Sequence, residues 1–189
     1  MYKAKTKYFI ISASAFLIVL LSGKDIRCQS WGNSFGINAG ISSFESRSTS
    51  VSGIQLSAFY EFPAWFTDTF NFQASIFYLK KTEYFLPDDS DGRYYPYFYG
   101  ATFSGIMRQK IKEHFFIEEQ AGVLLMKDRF FSGNNGTNYG ICFGGAAGID
   151  FRSSAGTGVL LSTGYKGGIT FNGDNPGFNS FFIQLQIFL

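Results

Sequence analysis

The chain has 189 residues, of which 20% are aromatic, 22 are glycine and only 16% are charged. That length suits one domain rather than two, and the charged fraction lies well below the ~25% of soluble domains. With 16 basic residues against 14 acidic ones there is no excess positive charge for nucleic acid, and two cysteines make no disulfide framework.

The N-terminus has the three parts of a secretory signal. Lys3, Lys5 and Lys7 form a basic start, Phe9 to Leu21 is an uncharged apolar run, and Ser22 to Ser30 is polar. The apolar run is too short for a membrane-spanning helix, which needs about 20 residues. It fits a signal h-region of ~7–15 residues. Residues 1–28 are therefore expected to be removed, with cleavage between Cys28 and Gln29 and the bond after Gly23 as the alternative. Lipidation of Cys28 is the minor reading, because Asp25-Ile26-Arg27 does not resemble a lipobox. Five of the 16 basic residues and one of the 14 acids lie in that segment, leaving 11 and 13, so residues 29–189 are slightly acidic. Cys142 is then the one cysteine left.

Beyond the signal, alternation with period two recurs in segments of about ten residues and predicts eight strands. The first covers about 34–44, with Phe35, Ile37, Ala39 and Ile41 opposite Gly36, Asn38, Gly40 and Ser42. The second (53–62) sets Ile54, Leu56, Ala58, Tyr60 and Phe62 against Gln55, Ser57, Phe59 and Glu61. In the third (69–80), Phe70, Phe72, Ala74, Ile76 and Tyr78 share a face. The fourth (97–108) has Tyr97, Tyr99, Ala101, Phe103 and Met107 against Gly100, Thr102, Ser104 and Arg108. The fifth (115–126) fits less well, because Glu118 and Glu119 are adjacent and one carboxylate falls on the apolar face unless a bulge intervenes. The sixth (138–152) alternates Tyr139, Ile141 and Phe143 with Gly140, Cys142 and Gly144. The seventh (157–166) alternates Val159, Leu161 and Tyr165 with Gly158, Ser162, Gly164 and Lys166. In the eighth, FFIQLQIFL, Phe181, Ile183, Leu185, Ile187 and Leu189 oppose Phe182, Gln184, Gln186 and Phe188.

Connections after strands two, four and six (63–68, 109–114 and 153–156) read as short. Those after one, three, five and seven (45–52, 82–96, 127–137 and 167–179) read as longer. Short periplasmic turns and long external loops place both termini in the periplasm. Trp31, Trp65, Phe66 and Phe115 then mark an inner aromatic belt, and Tyr78, Tyr97, Tyr99, Tyr139 and Tyr165 an outer one. A soluble lipocalin-like barrel alternates too, but its outer face carries many Lys and Glu. Here the polar face is mostly Gly, Ser, Thr, Asn and Gln, which suits a crowded interior, and large apolar residues suit a lipid-facing band. The expected fold is all-β: an eight-stranded antiparallel up-and-down transmembrane β-barrel over residues 29–189.

The signal segment, the eight strands, the stretches FFIEEQAGVLL and NYGICFGGAAGIDF, and the strand-final C-terminus resemble the outer-membrane β-barrel domain family of PorT-like and OmpA/OmpX-like small barrels. The resemblance covers essentially all of 29–189 and is one of pattern, with no catalytic motif. It implies insertion by the outer-membrane assembly machinery and contact with outer-membrane lipid and lipopolysaccharide. Members often end in an aromatic residue, whereas this chain ends Phe188-Leu189.

Inward positions carry Glu61, Arg108, Glu118 (or Glu119), Asp150, Arg152 and Lys166, which read as a buried ion-pair network filling the lumen. An eight-stranded barrel has room for side chains and not for an open channel. Asp88, Asp89 and Asp91, with Tyr94, Tyr95 and Tyr97, form an acidic and aromatic loop cluster that is a candidate surface-binding face. Its spacing fails as an EF-hand, so no metal is assigned, and nothing calls for a cofactor. His114, the one histidine, falls in a periplasmic turn without a neighbouring nucleophile pattern, so no catalytic residue is assigned. The leading expectation is a non-enzymatic barrel for envelope integrity or surface binding. The alternatives are an accessory of a secretion or assembly apparatus, a lipid A-modifying enzyme and a soluble carrier.

Overall fold

A computed structural model describes residues 32–45, 50–67, 70–81, 97–111, 114–129, 137–153, 157–171 and 177–188. Eight strands follow in chain order: β1 (Ser34–Glu45), β2 (Ser50–Pro63), β3 (Phe70–Lys81), β4 (Tyr97–Lys110), β5 (Phe115–Arg129), β6 (Thr137–Asp150), β7 (Gly158–Thr170) and β8 (Gly177–Phe188). Each pairs antiparallel with the next, and β8 pairs with β1, closing the sheet into a barrel without an edge. The pairing across neighbouring strands leads from Ser34 through Glu61, Gln73, Ser104, Gly122, Cys142, Gly168 and Phe178 back to β1 at Phe44. That offset is the shear which tilts the strands by roughly 35–45°.

The faces fall as the alternation predicts. Outward Ile41, Ile76, Phe181 and Ile183 are 63–70% exposed, whereas inward Ser34, Glu61, Glu118, Ser180 and Gln186 are fully buried. A water-soluble barrel shows the reverse arrangement, with apolar side chains inside. A closed sheet satisfies all of its backbone groups internally, which a bilayer demands. No helix among the described residues is long and apolar enough to cross a membrane, which says nothing of a barrel that crosses with strands.

Of the two alternatives for β5 the structure takes the one without a bulge: the strand runs in unbroken register against β4 and β6, Glu118 points inward and Glu119 falls on the apolar face. Other expectations need correction. β7 continues through Gly167 and Gly168 to Thr170, and β8 starts at Gly177. The two glycines hide the alternation in the sequence, and the Phe178 ring occupies the space that a Cβ on Gly168 would need. Tyr165 consequently lies towards the middle of its strand rather than in an outer belt. The strands also lengthen at the loop end, so the connections 46–49, 130–136 and 171–176 fall in the same range of four to seven residues as 64–69, 111–114 and 151–157, and only 82–96 stays long. Residues 1–31, and with them the signal segment and Trp31, lie outside the described residues, as does Leu189.

Two apolar layers bound the lumen. Phe44, Phe77, Leu79, Phe98, Leu124, Met126, Cys142 and Phe178 fill the half towards the loop end, with Phe44 and Phe98 stacked at 3.9 Å. Phe116, Leu160 and Phe188 fill the end where β1 begins and β8 finishes. Polar side chains lie between them.

Candidate functional site

Parity alone sends Glu61, Arg108, Glu118, Asp150 and Lys166 into the lumen, but the shear decides which of them meet. Arg108 stands opposite Glu118 in the β4–β5 register and reaches across the barrel to Glu61 on β2. Its Nε donates to Glu118 Oε2 at 2.6 Å, its Nη2 to Glu61 Oε2 at 2.6 Å and to Gln186 Oε1 at 3.1 Å, and its Nη1 to Glu61 Oε1. Glu61 also accepts from Asn71 Nδ2 at 2.6 Å and from Gln186 Nε2 at 2.7 Å, and Gln186 donates to Ser34 Oγ at 2.6 Å. One guanidinium thus ties side chains from β1, β2, β3, β4, β5 and β8 into a single layer. Two paired carboxylates around a fully hydrogen-bonded arginine are the arrangement in which buried charge is tolerated.

The other three charges stand apart from this triad. Asp150 ends β6 at the rim and accepts from the Arg152 backbone N at 3.0 Å, from Arg152 Nε and Nη2 at 2.9 Å each, and from Lys110 Nζ at 3.1 Å. The Arg152 guanidinium lies 4.5 Å over the Phe188 ring and so covers the apolar layer at that end. Lys166 is buried and donates to Thr102 Oγ1 at 3.0 Å, with Ser75 Oγ 2.5 Å from the same hydroxyl; no carboxylate among the described residues pairs with it. The single network expected from the sequence is therefore a central triad, a rim cluster and a separate lysine. Asn71, Gln186 and Ser34 belong to the triad's layer although none is charged. Their inward parity was the available signal.

Buried Ser104 Oγ, Gln120 Oε1, Glu118 Oε1, Ser162 Oγ and Ser180 Oγ have no protein hydrogen-bond partner. All five belong to inward positions and are the groups with which lumen water would bond. Chemically the lumen is a polar filling closed at both ends. The one pairing of hydroxyls with a basic group described above is Lys166 with Thr102 and Ser75, enclosed in the lumen; His114 sits in the β4–β5 turn, its Nδ1 3.2 Å from the Asp150 carbonyl. Among the described residues no three His, Cys, Asp or Glu side chains gather as metal ligands.

At the loop end, Tyr97 opens β4 with its ring against Tyr78 at 5.8 Å and Tyr99 at 6.2 Å, all on the outward face. Lys80 and Lys127 point outward beside them, at positions paired with Tyr97 and Tyr99. Asp88, Asp89, Asp91, Tyr94 and Tyr95 lie outside the described residues.

No protein-family model matches the sequence, and no curated protein matches it. Solved structures do match. Neisserial surface protein A (NspA) superposes with a TM-score of 0.62 at 13% identity, covering 84% of this chain and 97% of that one. Ail, the attachment invasion locus protein of Yersinia pestis, gives 0.54 at 10% identity, covering 83% and 98%. The shared property is the fold, an eight-stranded barrel of the outer-membrane type.

Proposed function

We propose that this chain, freed of residues 1–28, stands in the outer membrane of a Gram-negative envelope with both termini in the periplasm, and acts through its outer surface rather than as a pore or an enzyme. The carrying observation is a lumen filled by the Glu61–Arg108–Glu118 layer and sealed on either side by apolar residues. Such a filling leaves a solute no path, and the hydroxyls beside an amine, Thr102 and Ser75 with Lys166, lie inside the sealed lumen where a substrate has no entry. What remains available to partners is the outward face and the loop end.

There, Lys80 and Lys127 flank a collar of Tyr78, Tyr97 and Tyr99. Aromatic rings suit the boundary between hydrocarbon and headgroups, and two cations at that height suit the phosphates of lipopolysaccharide. The proteins of similar fold are, by name, a surface protein and an attachment invasion locus protein, so a role at the cell surface fits this chain as well. An accessory role in a secretion apparatus is the second reading, which the resemblance to PorT-like barrels favours.

Binding of purified, refolded barrel to lipopolysaccharide-containing vesicles tests the first reading. Wild-type protein should be retained and protected against unfolding. Lys80→Glu with Lys127→Glu should weaken this by about 2 kcal/mol, since each basic group near an anionic surface contributes ~1 kcal/mol. Equal behaviour of wild type and variant would remove the proposed contact.

A further inference from the structure

In the middle of the strands the outward positions are apolar, aromatic or small, with two exceptions that share one face: Glu119 on β5 and Thr163 on β7. Glu119 is outward by unbroken register against Met107 and Gly145, yet only 8% exposed, and its buried Oε2 has no hydrogen-bond partner. It lies four residues in from Phe115, roughly 10 Å along the barrel axis at the usual rise and tilt. That depth is hydrocarbon, out of reach of lipid headgroups. An ionisable side chain at such a depth marks a site that is completed by a partner.

The wall beside it is low. Gly145 faces Glu119 across the β5–β6 pair, and a Cβ there would meet nothing nearer than the Glu118 carbonyl at 3.5 Å. Ala147 follows on β6 and pairs with Thr163. Going from Glu119 to Thr163 crosses two strands and descends two residues along β6. The whole-barrel offset from Ser34 to Phe44 has almost the same slope, so the two side chains stand level in the membrane. Thr163 Oγ1 donates to Phe182 O at 3.0 Å, which leaves its oxygen free to accept.

We propose that this face pairs two copies of the chain in the membrane, about a two-fold axis passing over Gly145 and Ala147. Each Glu119 side chain turns out of its packed position into the open space over Gly145, and its carboxyl, in the acid form, donates there to Thr163 Oγ1 of the other copy. A second copy is the occupant that fits because one face carries both halves of the hydrogen bond at one height, which is the requirement of an isologous contact. Small residues at the axis allow the two walls to approach closely. The proposal rests on the barrel standing in a bilayer.

The test is thiol crosslinking of the mature chain in phosphatidylethanolamine–phosphatidylglycerol vesicles, with Cys142→Ser as background and heat-modified gel mobility as the check on folding. Ala147→Cys should give a crosslinked dimer, and Leu56→Cys, on the opposite wall, should not. Adding Glu119→Ala should lower the dimer yield about three- to tenfold, the range for polar contacts between membrane segments, whereas Glu119→Gln keeps a donor and most of the yield. Equal yields on both walls, no effect of Glu119→Ala, or capture of a different polypeptide by Ala147→Cys in cell envelopes would each overturn the pairing. Insertion as a monomer would overturn the pairing alone, while failure of the wild-type chain to insert would overturn the membrane reading beneath it.

Discussion

Replacing Arg108 with methionine removes the cation that holds the lumen layer together. Arg108 is 3% exposed and makes four side-chain hydrogen bonds, three of them to the carboxylates of Glu61 and Glu118. Without it two fully buried carboxylates face each other, and Gln186 loses a donor. Breaking a buried ion pair by deleting one partner costs about 3–5 kcal/mol, most of it from the charge left behind. Arg108→Met should therefore lower unfolding stability by that amount, read as the urea midpoint of the folded gel band in lipid vesicles. The combination Arg108→Met, Glu61→Gln and Glu118→Gln should recover to within about 1 kcal/mol of wild type, because a neutral filling of similar volume has no charge to leave unpaired. If Arg108→Met stays within about 0.5 kcal/mol of wild type, the triad is not an interior structural element and the reading of the lumen fails.

Further perturbations reach other parts of the barrel. Ile76 is outward, mid-strand and 67% exposed, so Ile76→Arg should lose about 2–4 kcal/mol in bilayers, whereas a water-facing surface would absorb it. A Cβ on Gly36 would run into the Phe59 ring, so Gly36→Val should destabilise by about 1–3 kcal/mol in the same urea assay, and Phe59→Leu should relieve part of that. Cys142 is free and buried in the apolar layer, so maleimide should label it only after unfolding. Planar bilayers containing the protein should show no stepwise conductance, since apolar layers close both ends of the lumen; regular channel openings would contradict the sealed interior.

Alternation placed every strand in the sequence, because a lipid-facing wall and a polar interior impose period two on both sides of the sheet. It failed where side chains stop reporting the face. Gly167 and Gly168 concealed the continuation of β7, and polar residues at the loop end, such as Ser50, Ser52 and Lys127 to Arg129, resembled loop although they pair as strand. The candidate site was legible as a set of inward charges and no further. Which charges meet depends on the shear, a property of all eight registers together, so the joining of Glu61 to Arg108 across 47 positions left no local mark. The same holds for the separation of Lys166 from the triad. The adjacent Glu118 and Glu119 were the one visible conflict with the pattern, and the structure resolves it by leaving Glu119 on the outward, apolar face.

Separation of inner and outer membranes on a density gradient, followed by gel electrophoresis of boiled and unboiled samples, tests the central claim most directly. The protein should be recovered in the outer-membrane fraction, with unboiled material migrating differently from boiled, as a closed barrel that resists detergent does. Recovery as a soluble periplasmic protein with a single mobility would contradict the assignment of the apolar face to lipid.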